Sequence, residues 1–418
     1  MLLMSPPDDW SLFEEMTRFI GIAIGALAMF CSGVGCTRHL TARPSTSSPP
    51  LSFTIVSAGQ DHTCGLTAAG DVYCWGANAD GQLGIGASDK LPHPKPLRVA
   101  SGIKFKAVSA GYRHSCALAG TGEAYCWGAN DSGQLGNGSI TLSTMPVAVS
   151  GKVIFVSLSA GATHTCGVTK TGNAYCWGGN WHGQLGNGSL DGEQQHECCH
   201  TEPIRVIGGL SFLEVTTGGI HTCGVIKNGK PYCWGIANYG RLGLGYSSVL
   251  NLPTPTAVST SSEFLSINPG GFYTCGLANT KIAYCWGASA NGELGSGSSV
   301  GKQDVPVPVS ENVHFSSISA GNNHTCGVTP DGSVYCWGAN RFGQIGDGST
   351  ENRYIPTTVS SDRKFKLISS GGNDFSGHTC GVTTDGKVMC WGDNHWGQLG
   401  NGATDVSLKA ALVANPEP

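Results

Sequence analysis

The chain is predicted to be an all-β, seven-bladed β-propeller with four-stranded blades and a disulfide inside each blade. Three observations carry the prediction. The tripeptide Cys-Trp-Gly recurs with Trp at positions 75, 127, 177, 234, 286, 337 and 391, at steps of 50 to 57 residues. Each of these cysteines is preceded by another ten residues earlier. Each repeat contains four short apolar runs, and four short strands repeated about every 50 residues are the signature of propeller blades.

In the third repeat the runs are IFVSLSAG (154–161), HTCGVT (164–169), NAYCW (173–177) and PIRV (203–206), taken here as strands A to D. Strand A alternates apolar and small residues. Strands B and C flank a short Gly-containing turn, a hairpin signal. Strand C ends in the repeat tryptophan, expected to fill the gap between blades. Three glycines then follow at fixed offsets, for example Gly81, Gly84 and Gly86, before strand D.

The hairpin spacing also places the cysteines. With a turn centred near residue 69, Cys64 and Cys74 fall opposite each other, within reach of a disulfide. The same spacing pairs Cys116 with Cys126, Cys166 with Cys176, Cys223 with Cys233, Cys275 with Cys285, Cys326 with Cys336 and Cys380 with Cys390. Each bridge closes a loop of roughly ten residues, worth about 2.5–3 kcal/mol in the chain-entropy treatment. Metal is the alternative, but one Cys pair supplies two ligands where structural zinc takes four.

Composition excludes other classes. With 12% charged residues and 63 Gly in 418 residues, the chain is no helical array, and its 40% hydrophobic content argues against disorder. Its net charge of −4 lacks the basic surplus of a nucleic-acid binder, so no nucleic-acid partner is expected.

The N-terminus reads as a targeting segment, residues 1–36. Phe19 to Phe30 is a twelve-residue apolar run after Arg18, suited to a signal-peptide core more than to a membrane span. The acidic residues Asp8, Asp9, Glu14 and Glu15 precede it, and a start at Met16 gives the segment a short basic beginning. Gly33-Val34-Gly35-Cys36 resembles a bacterial lipobox, which makes Cys36 the expected lipidation site; an ordinary secretory signal is the alternative. Residues 37–50 are rich in Ser, Thr and Pro and read as an extended tether, leaving 51–418 for the propeller. Paired cysteines persist in oxidising compartments. Signal and cysteines together lead to the expectation of an extracytoplasmic protein: a bacterial outer-membrane or cell-surface lipoprotein held to the membrane by its lipid, otherwise secreted.

The unit GQDHTCGLTAAGDVYCWGANADGQLGIG (59–86), and its copy GNNHTCGVTPDGSVYCWGANRFGQIGDG (321–348), resemble the repeat of the regulator of chromosome condensation 1 (RCC1) family. The resemblance spans about residues 51–413 and implies a seven-bladed propeller of RCC1 type, expected here in a bacterial secreted or lipoprotein form. The fifth repeat departs most, with Tyr273 for the repeat histidine and Glu293 for the repeat glutamine; the fourth has Arg241 at that glutamine. The family's namesake exchanges guanine nucleotide on a nuclear GTPase. Bacterial secreted propellers with a similar repeat bind proteins.

Strand direction alternates within a blade, so A–B and C–D connections share one face of the propeller. That face carries the variable residues. The C–D pairs include Trp181-His182, Tyr239, Arg341-Phe342 and His395-Trp396, and the A–B corners include Tyr112-Arg113. Both length excursions, 190–202 and 371–378, fall there too. Insertions on one face mark binding, and exposed Trp, Tyr and Arg are typical anchors; the other reading is that the rings pack over the propeller's end. His196, Cys198, Cys199 and His200 hold zinc-type donors, but adjacent cysteines suit a vicinal disulfide or a bridge to another chain at least as well. The repeat histidines 62, 114, 164, 221, 324 and 378 are expected to be structural hydrogen-bonders. No phosphate loop or HExxH motif is present. A loose likeness of 331–337 to the Asp-box of sialidases fails because Asp331 and Gly332 are adjacent. The expected function is therefore a non-enzymatic, cofactor-free binding or scaffold module for an extracytoplasmic protein or glycan. The alternatives are a guanine-nucleotide exchange or regulatory factor and, behind it, a glycan-binding or sialidase-like hydrolase.

Overall fold

Each repeat folds as a four-stranded antiparallel sheet in chain order A-B-C-D, and seven such sheets are formed. The computed structural model describes residues 51–191, 199–246, 250–298, 301–310 and 312–416. The expected signal segment, Cys36 and the tether lie outside the described residues, as do His196 and Cys198. The first blade comprises Phe53–Ala58, His62–Thr67, Val72–Gly76 and His93–Arg98, and the seventh Phe365–Gly372, Gly377–Thr383, Val388–Gly392 and Ser407–Leu412. The ring therefore closes by packing of complete blades, with no strand exchanged between the chain's ends.

Strands B and C pair in the register the spacing predicts. Cys64 faces Cys74, Cys166 faces Cys176, and so on round the ring. All seven expected pairs are disulfides. Cys64 is bonded to Cys74, Cys116 to Cys126, Cys166 to Cys176 and Cys223 to Cys233. Cys275 is bonded to Cys285, Cys326 to Cys336 and Cys380 to Cys390. The Cα atoms of Cys64 and Cys74 are 4.1 Å apart, and those of Cys116 and Cys126 4.0 Å. Strand D is the outer edge. Proline stands in six of the seven D strands, for example Pro94, Pro146, Pro253 and Pro356. It removes ladder donors there and so discourages pairing with another chain.

The core lies between blades. Cys64, Leu66, Val72 and Cys74 of blade 1 pack with Phe105, Val108 and Trp127 of blade 2. Phe53, Val56 and Trp75 pack with Cys380, Val382, Cys390 and Leu399 of blade 7, which closes the ring. All seven repeat tryptophans are fully buried.

A polar clasp accompanies each apolar seam. The backbone carbonyl of Gln82 accepts Trp127 Nε1 at 2.9 Å and Ser115 Oγ at 3.0 Å from the next blade. The carbonyl of Gln398 does the same for Trp75 and Thr63, both at 2.9 Å, across the closure. The same hydroxyls meet the repeat histidines: His62 Nε2 lies 2.8 Å from Ser115 Oγ and His378 Nε2 2.8 Å from Thr63 Oγ1. Because each hydroxyl spends its one hydrogen on the carbonyl, Nε2 must be the donor. The other ring nitrogen, Nδ1, is buried without a partner in His62, His114, His164, His221 and His378. The repeat histidines are thus structural hydrogen-bonders, as expected.

The glycines after strand C make this approach possible. Gly136 has φ +65°, and a Cβ there would sit 2.6 Å from Trp177 Nε1. An L-residue is disfavoured in that conformation, and the buried indole has no room to retreat. Gly136→Ala is expected to cost about 1–3 kcal/mol of stability, read as a lower urea midpoint. Gly102→Ala, where nothing lies within 4 Å, should leave the midpoint unchanged.

Burial drives the histidine pKa values down, to about 3 for His62, His164 and His324 and about 4 for His114 and His378. In the unfolded chain these rings take a proton near pH 6.5; in the fold they refuse it. Their stabilising contribution is present above about pH 6.5 and is lost as pH falls toward 4, by up to about 1.4 kcal/mol per histidine per pH unit. Glu214, raised by burial to about 7, and Asp61, raised by burial to about 6, act in the opposite sense. The histidines outnumber them, so the urea midpoint should be lower at pH 5 than at pH 7.

Candidate functional site

The A–B and C–D connections emerge on one face, as the alternation of strands requires. Among the described residues these connections carry eleven Asp or Glu against four Lys or Arg, while the connections on the opposite face carry six acids against nine bases. A small net charge thus conceals one acidic face.

The variable residues lie on this face with unequal exposure. Trp181, Tyr239 and Trp396 are 40%, 56% and 37% exposed. Arg113, Arg341 and His395 are exposed, and Tyr112, His182 and Phe342 half-buried. By contrast the repeat glutamines Gln82, Gln134, Gln184, Gln344 and Gln398 are buried. Each folds its side-chain oxygen onto the amide two residues earlier, as Gln134 Oε1 accepts from Ser132 N at 2.8 Å. The fold therefore holds the consensus residues inside and leaves the variable pair at the surface.

Two groups form. His395 bonds Asp393 through Nδ1, and its ring meets Phe342 edge-on at 5.8 Å, with Arg341 5.7 Å above the same phenyl. Blades 6 and 7 are joined in this way. In blades 4 and 5, Tyr239 meets Phe272 edge-on at 5.8 Å, and the Arg241 guanidinium lies 4.8 Å from the Phe272 centroid. Trp181 joins neither group by a ring contact among the described residues; its indole lies over Gly179, where a Cβ would meet it at 2.6 Å. Arg113 is held by Asp80 at 2.8 Å and Asp131 at 3.5 Å, across the first two blades.

Sequence reasoning missed how the centre of this face is built. The ends of all seven A strands surround an axial recess of about 210 Å³. Tyr112 of blade 2 reaches across it to hydrogen-bond Asn322 Oδ1 of blade 6, and burial raises the phenol pKa. Asn322 Nδ2 in turn donates to Asp374 Oδ1 at 2.7 Å, so the 371–378 excursion is tied toward the axis. Beside it, between blades 4 and 6, lies a cleft of about 330 Å³ lined by Tyr239, Phe272, Glu293, Asn323 and Asp374 among others. Burial raises the Glu293 carboxyl and lowers Arg241 to about 10. The residues that depart from the repeat, Arg241, Tyr273 and Glu293, were visible in the sequence; their convergence was not.

Of the Cys/His cluster, Cys199 opens strand D of blade 3 opposite Gly179. His200 Nε2 lies 3.5 Å from Asp191 Oδ1. Among the described residues no group of three or more His, Cys, Asp or Glu is placed to hold a metal.

The RCC1-like domain model matches residues 32–314, and models of the regulator of chromosome condensation (RCC1) repeat match 315–344, 331–377 and 376–398. The ultraviolet-B receptor UVR8 of Arabidopsis thaliana is 33% identical over 370 residues, covering 86% of this chain and 81% of the receptor. The mitochondrial RCC1 domain-containing protein RUG3 of the same plant is 30% identical, covering 84% of this chain and 67% of that protein. Among solved structures, Prp20p of Saccharomyces cerevisiae, whose binding to Gsp1p and histones is described with it, superposes with TM-score 0.71 at 20% identity. The match covers 87% of this chain and 88% of Prp20p.

These relatives correct the expectation of a bacterial secreted or lipoprotein form. They are eukaryotic proteins, one mitochondrial and another a binder of histones. The expected outer-membrane or cell-surface location, the lipid anchor to a membrane and the extracytoplasmic protein or glycan partner fall with it. The inference that failed ran from paired cysteines to compartment. The bridged sulfurs are fully buried in the seams between blades, and a buried bridge within a blade does not by itself fix the compartment.

Proposed function

The chain belongs to the RCC1 repeat family, and from that premise we propose that it is a regulatory propeller that docks a partner protein on its A–B/C–D face. The chain is not an enzyme; relatives of this architecture are named for reception and binding. The observation that carries the reading is the partition on that face: consensus residues are buried in every repeat, while Trp181, Tyr239, Arg341, His395 and Trp396 differ from blade to blade and are exposed. A position chosen by the fold holds one residue type, as the repeat glycines do; these are not chosen by the fold, and large exposed aromatics are anchors at interfaces.

Prp20p binds Gsp1p, and the family's namesake acts on a GTPase. The partner is accordingly a small GTPase of that kind, and the activity is regulation of its nucleotide exchange by binding. No chemical step falls to the propeller: it contributes a rigid, disulfide-braced surface that favours one conformation of the partner.

The test is release of a fluorescent GDP from purified Gsp1p with and without the propeller, alongside direct binding. Accelerated release is expected, and the double change Trp181→Ala, Trp396→Ala should weaken binding at least about tenfold with little change in melting temperature. Binding without acceleration would leave a scaffold; absence of both would remove the GTPase from the proposal. A large fall in melting temperature would show the rings to be packing residues.

A further inference from the structure

Blades 4 and 5 abandon the repeat at five residues. Arg241 and Glu293 replace glutamine, Tyr273 replaces histidine, and Ala237 and Ser289 stand where Asn78, Asn130, Asn180, Asn340 and Asn394 occur. That asparagine is a clamp elsewhere: Asn130 donates to Ser139 O and Thr141 O and accepts from Leu135 N. The clasp suffers as well, because Trp286 Nε1, next to Arg241, is buried without the partner its equivalents have. Ala237 and Ser289 give up the clamp and Arg241 leaves Trp286 without its acceptor, whereas Tyr273 and Glu293 keep a bond at their positions and line one cleft.

The cleft has the chemistry of a receptor for a cation. Tyr239 and Phe272 supply aromatic faces, and such faces attract ammonium and guanidinium groups. Glu293 and Asp374 supply carboxylates. Glu293 takes one donor on each oxygen, Asn291 N and Asn291 Nδ2, both at 2.8 Å; a carboxylate has about four acceptor sites, so capacity remains. Ala288 and Ala290 add apolar wall on either side of Ser289, which does not itself line the cleft. Asn323 donates to the backbone of the 371–378 segment at Asp374 O, 3.1 Å away, which holds the acid over the opening. Arg241 is itself stacked behind Phe272 and bonded to Gly271 O at 3.0 Å, outside the lining.

We propose that this cleft receives a lysine or arginine side chain of the partner protein, as a specificity pocket within the acidic face. The assignment rests on the reading of that face as the docking surface. The aromatic walls take the aliphatic stem and the charge, Glu293 and Asp374 accept its hydrogen bonds, and the surplus of acids around the cleft draws a basic segment toward this face rather than the other.

The probe is a fluorescein-labelled ten-residue lysine peptide titrated into the full chain at low and moderate salt. Saturable binding is expected, abolished when the lysines are acetylated. Glu293→Gln, which restores the residue the other repeats carry, and Asp374→Asn should each weaken it about tenfold, without a shift in melting temperature. Phe272→Leu, which keeps the cleft apolar but removes the ring, should weaken it as well. Equal binding by wild type, Glu293→Gln and Asp374→Asn would overturn the pocket and leave only diffuse attraction to the face, and no binding at low salt would overturn it outright. Peptide failure with Gsp1p still bound dismisses the pocket and spares the docking face. Peptide binding with Gsp1p unbound keeps the pocket and removes that GTPase as the partner.

Discussion

The backbone carbonyl of the repeat glutamine is the interaction on which the rest of the structure depends. In blade after blade it accepts two hydrogen bonds from the next: one from the repeat indole and one from the hydroxyl that the repeat histidine also holds. Three recurring side chains are thereby ordered around one oxygen in a site closed to water, where an unmet partner costs about 1–3 kcal/mol. The positive-φ glycine that follows lets the loop press against the indole. The geometry recurs from seam to seam, with Trp286 the exception, and the last blade meets the first with the same bonds.

That constraint also divides the surface. Residues at the clasp cannot vary without loss, and they lie on the inward side of the A–B and C–D connections. The residues next to them in sequence turn outward and carry no such duty. A repeat protein of this kind diversifies the outward positions first, and the acidic, aromatic face is the result. Where the inward positions also vary, at Arg241, Tyr273 and Glu293, the structure repairs the seam imperfectly. Tyr273 reaches His324 O at 2.7 Å and Thr325 Oγ1 at 2.9 Å in place of the imidazole, but Trp286 loses its acceptor. That loss beside a cleft with carboxylates and rings is the observation from which the pocket is proposed.

The disulfides serve the same architecture at a shorter range. Each ties the two central strands of its own blade, where short strands with many glycines hold little area, and presents buried sulfur to the neighbouring blade's Trp and Phe. Reading them as a marker of compartment was an error of level: a local packing motif was taken as a statement about cellular location, and the relatives do not share that location.

Sequence alone determined the fold, the blade boundaries, the strand register and the seven blade disulfides. Those features are set by separations of a few to fifty residues that recur seven times, and the ten-residue separation puts each cysteine opposite its partner on the hairpin. It determined which face varies as well, because strand direction alternates regardless of contacts. Tertiary structure decided what the variable residues do. Tyr112 and Asn322 are 210 positions apart and meet only because a seven-membered ring brings blades 2 and 6 to the same axis. Trp181 settles on Gly179 while Tyr239, one place further along its repeat, turns to Phe272, and the repeat spacing encodes neither contact. The cleft at Glu293 needs the curvature that places Asp374 of blade 7 beside blades 4 to 6. Local periodicity carries strand pairing, but contacts across the ring depend on how many blades close it, and no short stretch of sequence contains that distance.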